Sequence, residues 1–312
     1  MTTFLARRLL WLVITLLVAS FAIYGAMDVA PGNPASLLAG GHATPAMLTQ
    51  IEQQYHLNDP ILVQYWRWLS GMLTGNLGQS IVYRESVSSL LAARVANTLL
   101  LVGYASVVII IGGVALGLIS ALARRGGVVL TIAAGIGYGI PSFVASIVLI
   151  AVFAVDLGWF PVFGAGSGLP DQLWHLTLPA FALAVSWIAF ISQLTRAAVQ
   201  EELVREHVDT ARARGIPHRL VIKRHVLRNA MIPITTVAGL TVAGLIAGDV
   251  VVEEAFGISG LGSLLDQSTG DKDFAVVQAI SLIMVAVFVV VNALVDILNA
   301  ALDPRVRAEV RA

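Results

Sequence analysis

Three scarcities narrow what this 312-residue chain can be. It has no cysteine, so a disulfide framework, an iron–sulfur cluster and a thiolate zinc site are excluded, and segments outside a membrane must be held by packing. It has only two lysines, Lys223 and Lys272, preceded by Ile222 and Asp271. A nucleotide-binding P-loop needs a glycine before its lysine and a serine or threonine after it, so this is not a nucleotide-hydrolysing subunit. Charge is rare as well. Charged residues are 12% of the chain against 57% apolar, and the mean hydropathy is +0.84, a balance that a water-exposed surface cannot accommodate.

What is present in quantity is long uncharged sequence. Six stretches reach the roughly 20 residues that a helix needs to cross about 30 Å of hydrocarbon: Leu9–Met27, Val95–Ala123, Gly126–Val155, Gln172–Thr195, Asn229–Gly248 and Phe274–Val295. Lipid offers no partner to a free amide, so these stretches are expected to be helices, and the fold an all-α integral membrane bundle of six transmembrane helices. Arg7-Arg8 before the first stretch resembles a signal sequence, but five further spans make a retained first helix the simpler reading. With the N-terminus inside, 15 of the 19 basic residues fall in inner segments, so both termini are expected in the cytoplasm. The chain then divides into an N-terminus and first span (1–28), an extracytoplasmic segment (29–94), a five-helix core (95–299) that includes a cytoplasmic loop (196–229), and a cytoplasmic tail (300–312).

In the extracytoplasmic segment, Thr44-Pro45 and Asp59-Pro60 read as helix starts and predict two short helices near 45–55 and 60–74. Tyr55, Tyr65, Trp66 and Trp68 there suit either the lipid headgroup region or a partner surface. Two glycine runs, Gly112, Gly113, Gly117 and Gly135, Gly137, Gly139, lie in hydrophobic spans with no preceding strand. They are expected to allow close helix contact, with a kink at Pro141, rather than to bind a nucleotide.

The loop from Arg196 to Asn229 carries eight basic residues and four acids, Glu201, Glu202, Glu206 and Asp209. Gly215-Ile216-Pro217 breaks it into a helix–turn–helix elbow, whose second limb, 217–228, is amphipathic. A loop resting on anionic lipid is one reading. The string Asp209-Thr210-Ala211-Arg212-Ala213-Arg214-Gly215 favours another. It resembles the EAA loop of prokaryotic ABC importer permeases, in which Glu-Ala-Ala precedes a glycine by three residues. Here Asp209 replaces the glutamate and Thr210 the first alanine.

The motifs Pro31-Gly32-Asn33-Pro34, Tyr55-His56-Leu57-Asn58-Asp59-Pro60, Gln64-Tyr65-Trp66-Arg67-Trp68-Leu69, Gly75-Asn76-Leu77-Gly78-Gln79-Ser80, Arg224-His225-Val226-Leu227-Arg228-Asn229, Phe256-Gly257-Ile258-Ser259-Gly260-Leu261-Gly262 and Ala301-Leu302-Asp303-Pro304-Arg305 together resemble the dipeptide/oligopeptide (DppB/OppB-type) permease family along essentially the whole chain. The resemblance implies a type I ABC permease bundle in a bacterial inner membrane and a cytoplasmic elbow that docks on an ATPase. Asp209, Thr210, Ala211, Arg212, Ala213, Arg214, Gly215, Arg219 and Arg228 are the expected coupling residues. It also implies a second homologous permease, two ABC ATPase subunits that bind ATP and Mg, and an extracytoplasmic peptide-binding protein. This chain itself is expected to bind no cofactor or nucleic acid and to be no enzyme.

Asp249, Glu253 and Glu254, at the outer end of the fifth span, are candidates for substrate or partner contact. An ion-coupled transporter would carry ionisable groups deep in its spans, whereas Asp296 lies near a span end and reads as an interfacial pair. His42, His56, His175, His207, His218 and His225 show no ligand spacing on the outer face. Dipeptides, oligopeptides, glutathione and nickel chelates all remain open as substrates.

Overall fold

The computed structural model describes residues 2–29, 44–54, 58–123, 126–248 and 250–302. The motif Pro31-Gly32-Asn33-Pro34, the residues Tyr55-His56-Leu57, Asp249 and the stretch from Asp303 lie outside them. The described residues form α1 (Thr2–Val29), α2 (Pro45–Gln54), α3 (Ile61–Leu73), α4 (Val87–Leu122), α5 (Gly127–Tyr138), α6 (Ser142–Leu149), α7 (Leu169–His175), α8 (Thr177–Leu203), α9 (Glu206–Ala213), α10 (His218–Leu220), α11 (Leu227–Gly248), α12 (Val250–Ala255), α13 (Leu261–Gly270) and α14 (Phe274–Leu302). Among the described residues five helices are long and apolar enough to cross a membrane, and the pair α5–α6 makes a sixth crossing if taken as one bent span. The expected bundle of spanning helices is present. Two turns are wound more widely than an α-helix, Ile150–Asp156 after α6 and Val221–Val226 between α10 and α11.

The fourth span runs over Thr177–Leu203 rather than Gln172–Thr195, and three further boundaries differ from those read in the sequence. The third stretch is not a single kinked helix but two helices bent by 100°. Pro141, with no amide hydrogen, stands at the N-cap of α6, and the carbonyl of Ile140 accepts the Ser186 hydroxyl from α8. The second span begins at Val87, not Val95, because Ser86 caps it through the amide of Ser89. The fifth span does not begin at Asn229. It is continuous from His218, so the elbow's second limb is the polar foot of a membrane helix rather than a separate short one. The two short helices α2 and α3 fall where the prolines place them. The Thr44 hydroxyl accepts the Met47 amide at the start of α2, whereas Asp59 does not cap α3 but pairs with Arg67 at 2.8 Å.

Helix α8 is the centre of the bundle, with α4, α5, α6 and α11 packed around it. Its approach to α4 is set by glycine. A Cβ on Gly113 would lie 2.6 Å from Ile191 Cβ, and one on Gly117 2.5 Å from Thr195 Cβ and 2.7 Å from the Ser192 carbonyl. The second glycine run is less crowded, with 3.5 Å from Gly137 to Ala189 and 4.0 Å from Gly135 to Gln193, so close helix contact belongs to the first run. Gly113→Ala is therefore expected to destabilise by about 1–3 kcal/mol through overpacking. Gly103→Ala, with nothing within 4 Å, should be neutral or slightly stabilising in the same helix. Thermal unfolding of the two variants in detergent checks the pair, and equal melting temperatures would refute the packing account.

Helix α1 stands at the edge, against α14 and α3. Arg8 meets Asp296 at 2.6 Å, the interfacial pairing expected of that acid.

Candidate functional site

Helix α9 sits across the ends of α8 and α11. Its residues divide by the helical period: Val208 and Ala211 are buried, while Asp209, Thr210, Arg212 and Ala213 are exposed. The buried pair joins Val199 of α8, Val221 and Val226 of the wide turn, and Ala230 and Ile234 of α11 in one apolar cluster. At about 25 cal/mol per Å² of apolar surface removed from water, this cluster is what holds the short helix in place.

The helix ends in a Schellman motif. Gly215, at φ +74°, donates its amide to the Arg212 carbonyl at 2.9 Å, and Ile216 donates to Ala211 at 3.3 Å. Pro217 then caps α10, its carbonyl accepting the amides of Leu220 and Val221. The corner read at Gly215 is thus a rigid reversal. It leaves Arg214 and Arg219 exposed on either side, with Arg228 exposed further along the foot of α11.

Charges on α9 are partly satisfied within the loop. Arg212 pairs with Asp209 at 3.1 Å, and Arg205 with Glu201. A polar knot ties the two limbs together. The Asn229 amide donates to the His225 carbonyl at 3.1 Å and lies 3.4 Å from Glu202, and His207 Nε2 is 3.3 Å from the same carboxylate. Sequence reading did not single out Glu202, His207 or Asn229 as a group, since they are spread over 28 positions. Behind the knot opens a cleft of about 1220 Å³, lined among others by Arg205, Lys223, Arg224, Arg228 and Pro233. Among the described residues no group of three or more His, Asp or Glu side chains is arranged to hold a metal ion.

At the opposite end of the bundle, Glu254 is exposed but Glu253 is fully buried. The Glu253 carboxylate accepts the Thr98 hydroxyl at 2.5 Å and the Ser263 amide at 2.9 Å, and Thr98 in turn accepts the Leu261 amide at 2.8 Å. The motif Phe256–Gly262 wraps this carboxylate. A Cβ on Gly260 would fall on the carboxylate itself, and one on Gly262 would lie 2.7 Å from Val250 Cα. Burial pushes the Glu253 carboxyl above its ordinary 4.5, against the hydrogen bonds from Thr98, Ser263 and Gly262, and the neighbouring Glu254 adds to the rise.

A second buried acid, Asp273, accepts the Ser80 hydroxyl at 2.5 Å and the Val82 amide at 3.3 Å. The sequence alone singles out none of Thr98, Ser80 and Asp273. The Phe256–Gly262 and Gly75–Ser80 strings that surround them stand out in the sequence only as motifs of the family resemblance.

Residues 113–308 match the family model described as binding-protein-dependent transport system inner membrane component, and residues 1–102 match its N-terminal companion. The glutathione transport system permease protein GsiC of Salmonella paratyphi A is 35% identical over 312 residues, covering 98% of this chain and 99% of that protein. Its counterpart in Escherichia coli K12 is 36% identical over 310 residues with the same coverage. A crystal structure of an amino acid ABC transporter with histidines superposes with a TM-score of 0.54 at 19% identity, covering 69% of this chain and 94% of that one, and supports the fold alone.

Proposed function

We propose, from the premise that this chain belongs to the inner membrane components of binding-protein-dependent transport systems and is a multi-pass permease subunit of an ABC importer, that it conducts short peptides, glutathione among them, into the cytoplasm. The observation that carries the peptide reading is end-to-end similarity at 35–36% identity to permeases named for glutathione, a tripeptide. The fold by itself does not choose a substrate.

In this reading the basic loop faces the cytoplasm, and α9 is the element that docks on an ATPase. The exposed residues Asp209, Thr210, Arg212, Ala213 and Arg214 form its contact face, with Arg219 and Arg228 flanking. Val208 and Ala211 carry motion through the apolar cluster into α8 and α11. ATP and Mg would be bound by two ATPase partners, a second related permease would complete the pathway, and a peptide-binding protein would deliver substrate outside. Of the acids there, the exposed Glu254 is open to a partner or substrate, and Asp249, outside the described residues, keeps the same proposed role. Buried Glu253 serves by shaping the loop that presents Glu254.

The test is uptake by proteoliposomes that hold the full transporter, with ATP enclosed and the binding protein supplied outside. ATP-dependent accumulation of labelled glutathione or di- and tripeptides is expected. Uptake that follows an imposed proton gradient without ATP would refute the reading, and ATP-driven uptake of a non-peptide solute alone would leave the importer intact but remove its peptide substrate.

A further inference from the structure

We infer that α3 is a membrane-interfacial helix, seated in the lipid leaflet remote from the basic loop, and that the partner of its unpaired apolar stripe is acyl chain rather than protein. Arg8, paired with Asp296, marks one membrane boundary on α1 and α14. Ser20 and Tyr24 lie 12 and 16 residues further along α1, about 18 and 24 Å at about 1.5 Å per residue, inside a hydrocarbon layer of about 30 Å.

Helix α3 docks at that level and not beyond the end of α1. Tyr65 bonds Ser20 through their hydroxyls at 2.8 Å, and the Tyr24 hydroxyl donates to Gln64 at 3.1 Å. The Tyr65 ring meets Phe21 edge-on at 5.2 Å, and Trp68 lies 5.5 Å from Tyr24. These contacts place α3 roughly 6–12 Å below the far boundary, the seating depth of interfacial amphipathic helices.

The remaining surface of α3 is divided as that position requires. Leu62, Trp66 and Leu73, 64%, 66% and 78% exposed, stand at i, i+4 and i+11, within about 40° of one another on a helix of 100° per residue. Arg67 and Ser70 occupy the neighbouring sector, with Val63, 46% exposed, between them, and Arg67 reaches back to Asp59. Phe21, whose ring meets Tyr65, is itself part of the exposed apolar surface of α1. A water-borne partner cannot reach a stripe at this depth, whereas acyl chains already surround it.

The absence of native cysteine makes the test direct. Leu62→Cys, Trp66→Cys, Leu73→Cys and Ser70→Cys are spin-labelled singly in the full transporter, reconstituted in phosphatidylethanolamine–phosphatidylglycerol vesicles, and their collision rates with oxygen and with nickel-EDDA are compared. Labels at 62, 66 and 73 are expected to favour oxygen several-fold over nickel, and the label at 70 to show the reverse. Nickel access on the stripe would overturn the inference in favour of an aqueous docking face. Low access to both reagents with an immobilised spectrum would overturn it in favour of a covering subunit. If the tryptophan variant does not assemble, positions 62 and 73 carry the same comparison.

Discussion

Ala211→Asp is expected to leave the protein inserted in the membrane and to reduce ATP-driven uptake about a hundredfold. The substituted carboxylate would enter the apolar cluster of Val199, Val208, Val221 and Val226, and burying a charge among such side chains costs several kcal/mol. The cheaper outcome is for α9 to lift off, because that apolar contact is its buried hold on the bundle and the polar knot at His207 lies exposed beside it. About 3 kcal/mol against the seated form corresponds to roughly a hundredfold loss of competent elbow. Gly215 supplies a graded companion series. Gly215→Asn keeps a residue that tolerates positive φ and should retain most uptake. Gly215→Pro fixes φ near −65° and removes the amide bonded to Arg212, at about 3 kcal/mol or more. Substrate-stimulated ATPase measured on the reconstituted complexes reads the coupling, and a wild-type response from Ala211→Asp would sink the assignment of α9.

Gly260→Ala is expected to lower the melting temperature on the order of 10 °C, the largest stability effect of any single methyl here. Its Cβ would coincide with the Glu253 carboxylate, which cannot retreat without breaking the bonds from Thr98 and Ser263. Displacing a hydrogen-bonded buried charge and overpacking its loop together cost roughly 3–5 kcal/mol, and about 2–4 °C per kcal/mol is usual for larger domains. Glu253→Ala should be similarly destabilising, since it orphans two buried donors. The double variant should be no worse than either single one, because the clash vanishes with the carboxylate. Additive losses in fluorescence-detected thermal unfolding would show that the two residues do not act on one another.

The raised pKa of Glu253 adds a pH signature. The folded protein holds that proton more tightly than the unfolded chain does. The stability linked to it is therefore complete below 4.5 and is lost as pH rises from 4.5 through the folded value. Glu253→Ala removes that segment of the slope.

What was legible in the sequence is what local chemistry writes. Runs of uncharged residues marked the spans, Pro45 and Pro60 marked the starts of α2 and α3, and Gly215 marked the corner, because each acts on its own neighbours. The 100° break between α5 and α6 was read only as a kink, since its depth depends on Ser186, 46 positions away, accepting the role of cap for Ile140. The clasps were further out of reach. Thr98 and Glu253 are separated by 155 positions and Ser80 and Asp273 by 193, and a period of 3.6 carries no signal over such distances. The foot of α11 was misplaced for a different reason: its charges ended the hydrophobic run, but charge on an extramembrane turn does not end a helix.

These clasps bear on how relatives of this permease can be recombined. The two family matches divide the chain between residues 102 and 113, yet that division falls inside the unbroken helix α4 (Val87–Leu122). Two residues on one side of it, Ser80 and Thr98, complete two acids on the other. A chimera joined at the apparent border would preserve α4 in outline and mismatch both clasps. Crossovers that keep Thr98 with Glu253 and Ser80 with Asp273 are the ones that leave a foldable hybrid.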